Sequence, residues 1–179
     1  MPIVPFELLP DSSRIWIFGS DRPVTGAAAD QLLGEVDNFL NSWRAHGEPL
    51  RCGRLWADNR FLVVGVDQSD ANASGCSIDG LFRRLQQLES SIGARMVGGG
   101  RVFYRDHSGA AQSVARSDLD GLVARGEVGP DTVVFDTSIT DLGEWRARFE
   151  QPARKTWVAD LLGGRGAGGG PAPTPPPSA

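Results

Sequence analysis

The stretch LRCGRLWADNRFLVVGV, residues 50–66, decides how this chain folds. Asp58-Asn59 is a two-residue turn signal between two apolar runs, so Leu50–Trp56 and Phe61–Val66 read as the arms of a β-hairpin. The second arm is apolar on both faces, which suits a central strand in a sheet covered on both sides. Upstream, Arg14–Phe18 is rich in β-branched and aromatic residues and ends at Gly19-Ser20, which marks another strand. Between that strand and the hairpin, Leu32, Leu33, Val36, Phe39, Leu40 and Trp43 recur at helical spacing. They predict a helix over Thr25–His46, stopped by Gly47 and Pro49.

Downstream of the hairpin, a polar loop (Asp67–Gly75) leads into a helix over Ser77–Ile92, with Ile78, Leu81, Phe82, Leu85, Leu88 and Ile92 in one stripe. A strand follows at Val102–Arg105, then a turn at His107-Ser108-Gly109 and a second arm at Gln112–Ala115. Residues 14–105 therefore read β-α-β-β-α-β, the order of a ferredoxin-like sandwich in the α+β class. In that sandwich strands 14–18 and 61–66 are expected to be parallel neighbours. Residues 110–160 read as a C-terminal β-α-β-α extension, with a helix at Ser117–Arg125, a strand at Thr132–Asp136 and a helix at Thr140–Phe149. Residues 1–162 make one domain. The last seventeen, 163–179, hold six Gly and five Pro and no large apolar residue, so they read as a disordered tail.

Composition narrows the function. With 179 residues, five Trp and 40% hydrophobic content, the chain can bury a substantial core. Its net charge of −4 offers no basic field for nucleic acid or anionic lipid. The longest apolar run, 61–66, falls far short of the ~20 residues of a membrane helix. Met1–Pro10 lacks the basic start of a secretory signal, and two cysteines are too few for a disulfide framework, so the cytoplasm is the expected compartment.

Lys155, the single lysine, has no glycine loop before it, so ATP cannot be cradled as in a P-loop. Cys52, Cys76, His46 and His107 have no metal-ligand spacing, and no metal or cofactor is implied. Cys52 reads as a small apolar strand residue. Cys76 lies at a helix start, where the partial positive charge favours thiolate. A structural reading competes with a reactive one there: Ser77 as N-cap, Asp79 in the first turn. His46 and His107 are expected at the sheet edge opposite Cys76, which would leave it without an imidazole base.

The parallel pair would bring the two loops before the long helices to one edge. Ser20, Arg22, Ser74, Gly75, Cys76 and Ser77 would then form a pocket for a small anion. The tryptophans read as core or rim anchors; for Trp145 and Trp157, which flank Pro152, the alternative is a second candidate site, a surface for a protein partner. The function expected is a binding or interaction module without assignable catalytic activity, taking a protein partner or a small anionic ligand. The alternative is a thiol-dependent enzyme or redox protein using Cys76.

Several blocks carry a resemblance: Arg14-Ile15-Trp16-Ile17, Ala45–Leu50, Asn59-Arg60-Phe61, Ala73–Asp79 and Asp131–Phe135. Over Pro5–Trp157 the chain resembles a family of small bacterial proteins, commonest in Bacteroidetes-type genomes, that often carry the label "ABC transporter ATPase". The family brings no catalytic residue to carry over, and the label fails on the missing phosphate loop. Tyr104–Asp136 also resembles the small GYF-type peptide-binding modules of bacteria, but continues with Phe135-Asp136 where those have a tryptophan.

Overall fold

The computed structural model describes residues 3–45, 47–68, 75–96 and 99–163, with the backbone alone at 45, 75–77 and 163. After a 3-10 turn at Phe6–Leu8 come β1 (Arg14–Gly19) and α1 (Gly26–Ser42). A short ribbon of β2 (Arg44–Ala45) and β3 (Glu48–Pro49) leads to the hairpin β4 (Cys52–Ala57) and β5 (Phe61–Val66). Then follow α2 (Gly75–Ile92), β6 (Arg101–Arg105), β7 (Ala111–Ala115) and α3 (Leu119–Ala124). The described chain closes with β8 (Val133–Phe135), α4 (Leu142–Arg148), β9 (Glu150–Pro152) and α5 (Val158–Gly163). The fold is α+β, with antiparallel sheets ordered β1-β5-β4 and β7-β6-β8-β9.

The hairpin forms where the sequence places it. Asp58 and Asn59 hold φ values of 53° and 54°, the left-handed region that Asp and Asn enter more readily than other side chains. As expected, β5 is central and buried along its whole length. Its alternation builds two cores. Leu62, Val64 and Val66 pack beneath Leu32, Val36 and Leu40 of α1 and Leu81 and Leu85 of α2. Phe61 and Val63 face the second sheet, against Phe103, Phe135 and Phe149. The outer face of that second sheet (Val102, Tyr104, Val134) is covered by Leu119, Leu122 and Val158. The layers run helix, sheet, sheet, helix, so neither face of the first sheet is open as a platform for single-stranded nucleic acid.

The parallel pairing of 14–18 with 61–66 is overturned. Arg14 pairs with Val66 and Gly19 with Phe61, so β1 and β5 are antiparallel. The element order explains it. The α1 crossover returns the chain so that β4 runs with β1; the tight hairpin then reverses β5, which enters between them against both. The ferredoxin-like topology is not established: β6, its fourth strand, pairs with β7 and β8 in the other sheet.

Helix ends also moved. α1 stops at Ser42 because Trp43 turns extended (φ −73°, ψ 123°) and buries its ring against Phe39 and Trp16. Of the residues expected to finish it, Arg44 and Ala45 form β2 and pair with β3, and Gly47 holds φ +88°. α2 starts at Gly75, so Ser77 lies inside its first turn instead of at the N-cap.

Candidate functional site

The expected anion pocket is not assembled. Since β1 and β5 are antiparallel, the loop after β1 and the loop after β5 leave opposite edges of the sheet. The helices confirm the separation by running antiparallel: Gln31 meets Ser91, Glu35 meets Arg84, and Phe39 lies against Gly80. Ser20 is fully buried, its hydroxyl donating to the Arg22 carbonyl (2.5 Å). Asp21 is joined to Arg95 beyond the far end of α2, its N–H donating to the Arg95 carbonyl and its carboxylate accepting from the Arg95 N–H. Arg22 is exposed over the same shallow depression. Gly75 opens α2 at the other edge. Ser74 and the side chains of Cys76 and Ser77 lie outside the described residues, as do His46 and the tail at 164–179.

The expected separation of Cys76 from His46 lies outside the described residues. The β6–β7 turn that carries His107 is beside Arg105 and Asp58, at the edge away from the start of α2. Cys52 is buried as expected, near the Leu40 carbonyl (3.7 Å), and burial pushes its thiol up to about 11. Among the described residues no group of His, Cys, Asp and Glu could hold a metal ion. No helix among them is long and apolar enough to cross a membrane.

The second candidate gains definition. Trp145, on α4, lines a cleft of about 310 Å³ shared with Leu55, Ala57 and Asp58 of β4 and its turn, with Arg146 and Arg148 of α4, and with Phe149 and Glu150 where β9 begins. Trp145 packs edge-on against Phe6 (5.6 Å) and tilted on Phe149 (5.5 Å), so the cleft floor belongs to the core between the sheets. The Trp145 indole N–H is buried with no acceptor. The rim is tied together by Arg105, which donates to Glu150 (2.5 and 2.7 Å) and to Asp58 (2.9 Å) and lies over the Phe135 ring. Its hydrogen bonds to Glu150, then those to Asp58, hold its guanidinium above the ordinary arginine value. Arg148 pairs with Asp136 and Glu144, and Arg146 with Asp11. These charges hold elements together.

Beside the cleft runs a strand edge. β4 is the outer strand of its sheet, and among the described residues only its start is covered: the Val4 N–H donates to the Cys52 carbonyl (2.8 Å) and Ile3 bridges Cys52 in parallel. Strand alternation, set by Arg51 and Ala57 facing β5, turns the N–H and C=O of Arg54 and Trp56 outward. Among the described residues no backbone partner reaches those four groups. Trp145 was singled out in the sequence, as a core or rim anchor or as part of a partner surface. Leu55, Ala57 and Asp58 were not: the apolar second arm reads as central, but nothing in the first arm tells what covers its outer edge. Trp157, the other flagged tryptophan, is 40% exposed and stacks with Arg116 (5.0 Å), away from the residues of this cleft. No family model, curated protein or solved structure matches this chain.

Proposed function

We propose that the protein is an interaction module that receives an extended segment of a protein partner along the β4 edge. One observation carries this reading: open backbone groups of an edge strand lie directly beside a cleft in which Leu55, Ala57, Trp145 and Phe149 are ringed by the charged Asp58, Arg146, Arg148 and Glu150. In strand addition the main-chain hydrogen bonds supply affinity and neighbouring side-chain pockets supply selectivity. Arg54 and Trp56 offer the first; Leu55, Ala57, Trp145 and Phe149 offer the second. The pairing of the rim charges with one another favours binding over catalysis. An anionic small ligand loses its support, because the two loops meant to bind it are at opposite edges.

The test is selection of random displayed peptides against the purified chain, counter-selected with Leu55→Arg, which sets a charge at the cleft mouth. We expect peptides that bind the wild type, fail on Leu55→Arg and change tryptophan fluorescence. Peptides that bind both proteins equally would overturn the reading.

A further inference from the structure

Resting on that reading of the β4 edge, we propose that the segment it receives is β4 of a second copy of this chain, the two strands running antiparallel about a twofold axis at Leu55. The open groups are self-complementary. Arg54 and Trp56 both point their N–H and C=O outward and are separated by one residue that does not. Laid antiparallel on itself about Leu55, the strand sets Arg54 opposite Trp56 of the second copy, and Trp56 opposite its Arg54. Each pair exchanges two hydrogen bonds, so all four open groups of each copy are satisfied.

The side chains agree with this register. On the helix-facing side, each Arg54 meets an indole across the junction, a favourable partner for a guanidinium. Its charge is already balanced by a two-pronged pair with Asp37 (2.6 Å for both bonds), so the junction does not bring two bare cations together. On the other side Leu55 opposes Leu55 in the close, non-hydrogen-bonded position, and each lines the cleft of its own copy. The usual protections of an edge are missing over 54–57: no proline and no free charge interrupt it. Among the described residues, the N-terminal segment pairs with this edge only at Cys52. It then climbs onto the sheet face, where Val4 and Phe6 pack over Gly53. The other edge of this sheet is covered at its start, where Ile15 donates to the Thr140 carbonyl and Arg14 bridges Asp141.

The experiment uses the full chain. Sedimentation equilibrium from about 1 to 500 µM, a span that resolves micromolar dissociation constants, should show the mass rising toward twice that of one chain. In a Cys76→Ser background, Leu55→Cys places two thiols across the twofold within disulfide range, whereas Ala57→Cys faces Gly53 of the other copy. With diamide as oxidant, the two Leu55→Cys thiols should close an intermolecular disulfide at least about tenfold faster than those of Ala57→Cys. A wild-type chain that stays monomeric throughout overturns the proposal. So does equal cross-linking at the two positions. A monomer that still binds peptides lost in Leu55→Arg overturns self-pairing and leaves the partner-binding reading standing.

Discussion

Arg60 sits under the hairpin turn with 4% of its surface exposed and, among the described residues, no carboxylate bonded to it. It donates to the Ala111 carbonyl (2.6 Å), the Ser20 carbonyl (3.2 Å) and the Gln112 side chain (3.3 Å), bolting the β4–β5 turn and the end of β1 to β7. Burial, then the neighbouring Arg101, holds its guanidinium below the ordinary arginine value. A lysine side chain has one nitrogen and cannot span three acceptors spread over two segments. Arg60→Lys should therefore lose about 1–3 kcal/mol, the cost of stranding buried acceptors, read as a lower urea midpoint. An unchanged midpoint would show that the bolt is dispensable. Asp106 makes a pH-dependent contribution in the β6–β7 turn. Hydrogen bonds from the Ser108 hydroxyl, then Gln112, with the Ser108 and Ala110 N–H groups, hold its carboxyl down at about 2. A depressed folded value means stability that is present above the unfolded value near ~3.9 and lost as pH falls toward about 2. Asp106→Asn should flatten the stability profile across that acid window while leaving its shape near neutrality unchanged.

Among the elements, α4 shows how much a local signal can carry. Asp141 caps it by accepting from the Glu144 N–H (3.0 Å), and its backbone also bridges Arg14 at the edge of β1. Asp141→Ala should cost roughly 0.5–2 kcal/mol for the lost cap, measured by denaturant unfolding. Asp141→Asn should recover most of that loss; if it does not, the residue acts through charge and not as a cap. The elements themselves were largely legible because each rests on short-range chemistry: Asp58-Asn59 for the hairpin, the stripe of Leu81, Leu85 and Leu88 for α2, the apolar run of β5. Their relative directions were less so. The β-α-β-β order already implied an antiparallel β1–β5 pair if β5 is central, and the anion pocket depended on the opposite direction. The candidate site was half visible. Trp145 is conspicuous in a sequence, whereas whether another segment covers the outer edge of β4 is decided by long-range packing. β9 and α5 carry few local signals, being three and six residues long.

Across the whole molecule, the two sheets share one core, and Phe61 is its centre. Fully buried, it contacts Phe103 (5.2 Å), Phe135 (4.6 Å) and Phe149 (5.2 Å), three rings from the second sheet and the segment that crosses it. Gly19 allows the approach, since a side chain there would run into the Phe103 ring. Because β5 also presents Leu62 and Val64 to the helices, the same strand belongs to both cores. The two sheets should therefore unfold together. Phe61→Ala should remove about 3–5 kcal/mol, the range for emptying a buried aromatic site. The loss should appear equally in the helix signal at far-ultraviolet wavelengths and in the fluorescence of Trp145, which reports on the cleft between the sheets. Two separate transitions in the wild type, with the helix signal outlasting the Trp145 signal, would show that the sheets are independent units. The cleft would then open without unfolding the rest, and the rim formed by Arg105, Asp58 and Glu150 would hold much less than its geometry implies. A single coincident transition, shifted as a whole by Phe61→Ala, is what a core shared through one strand requires.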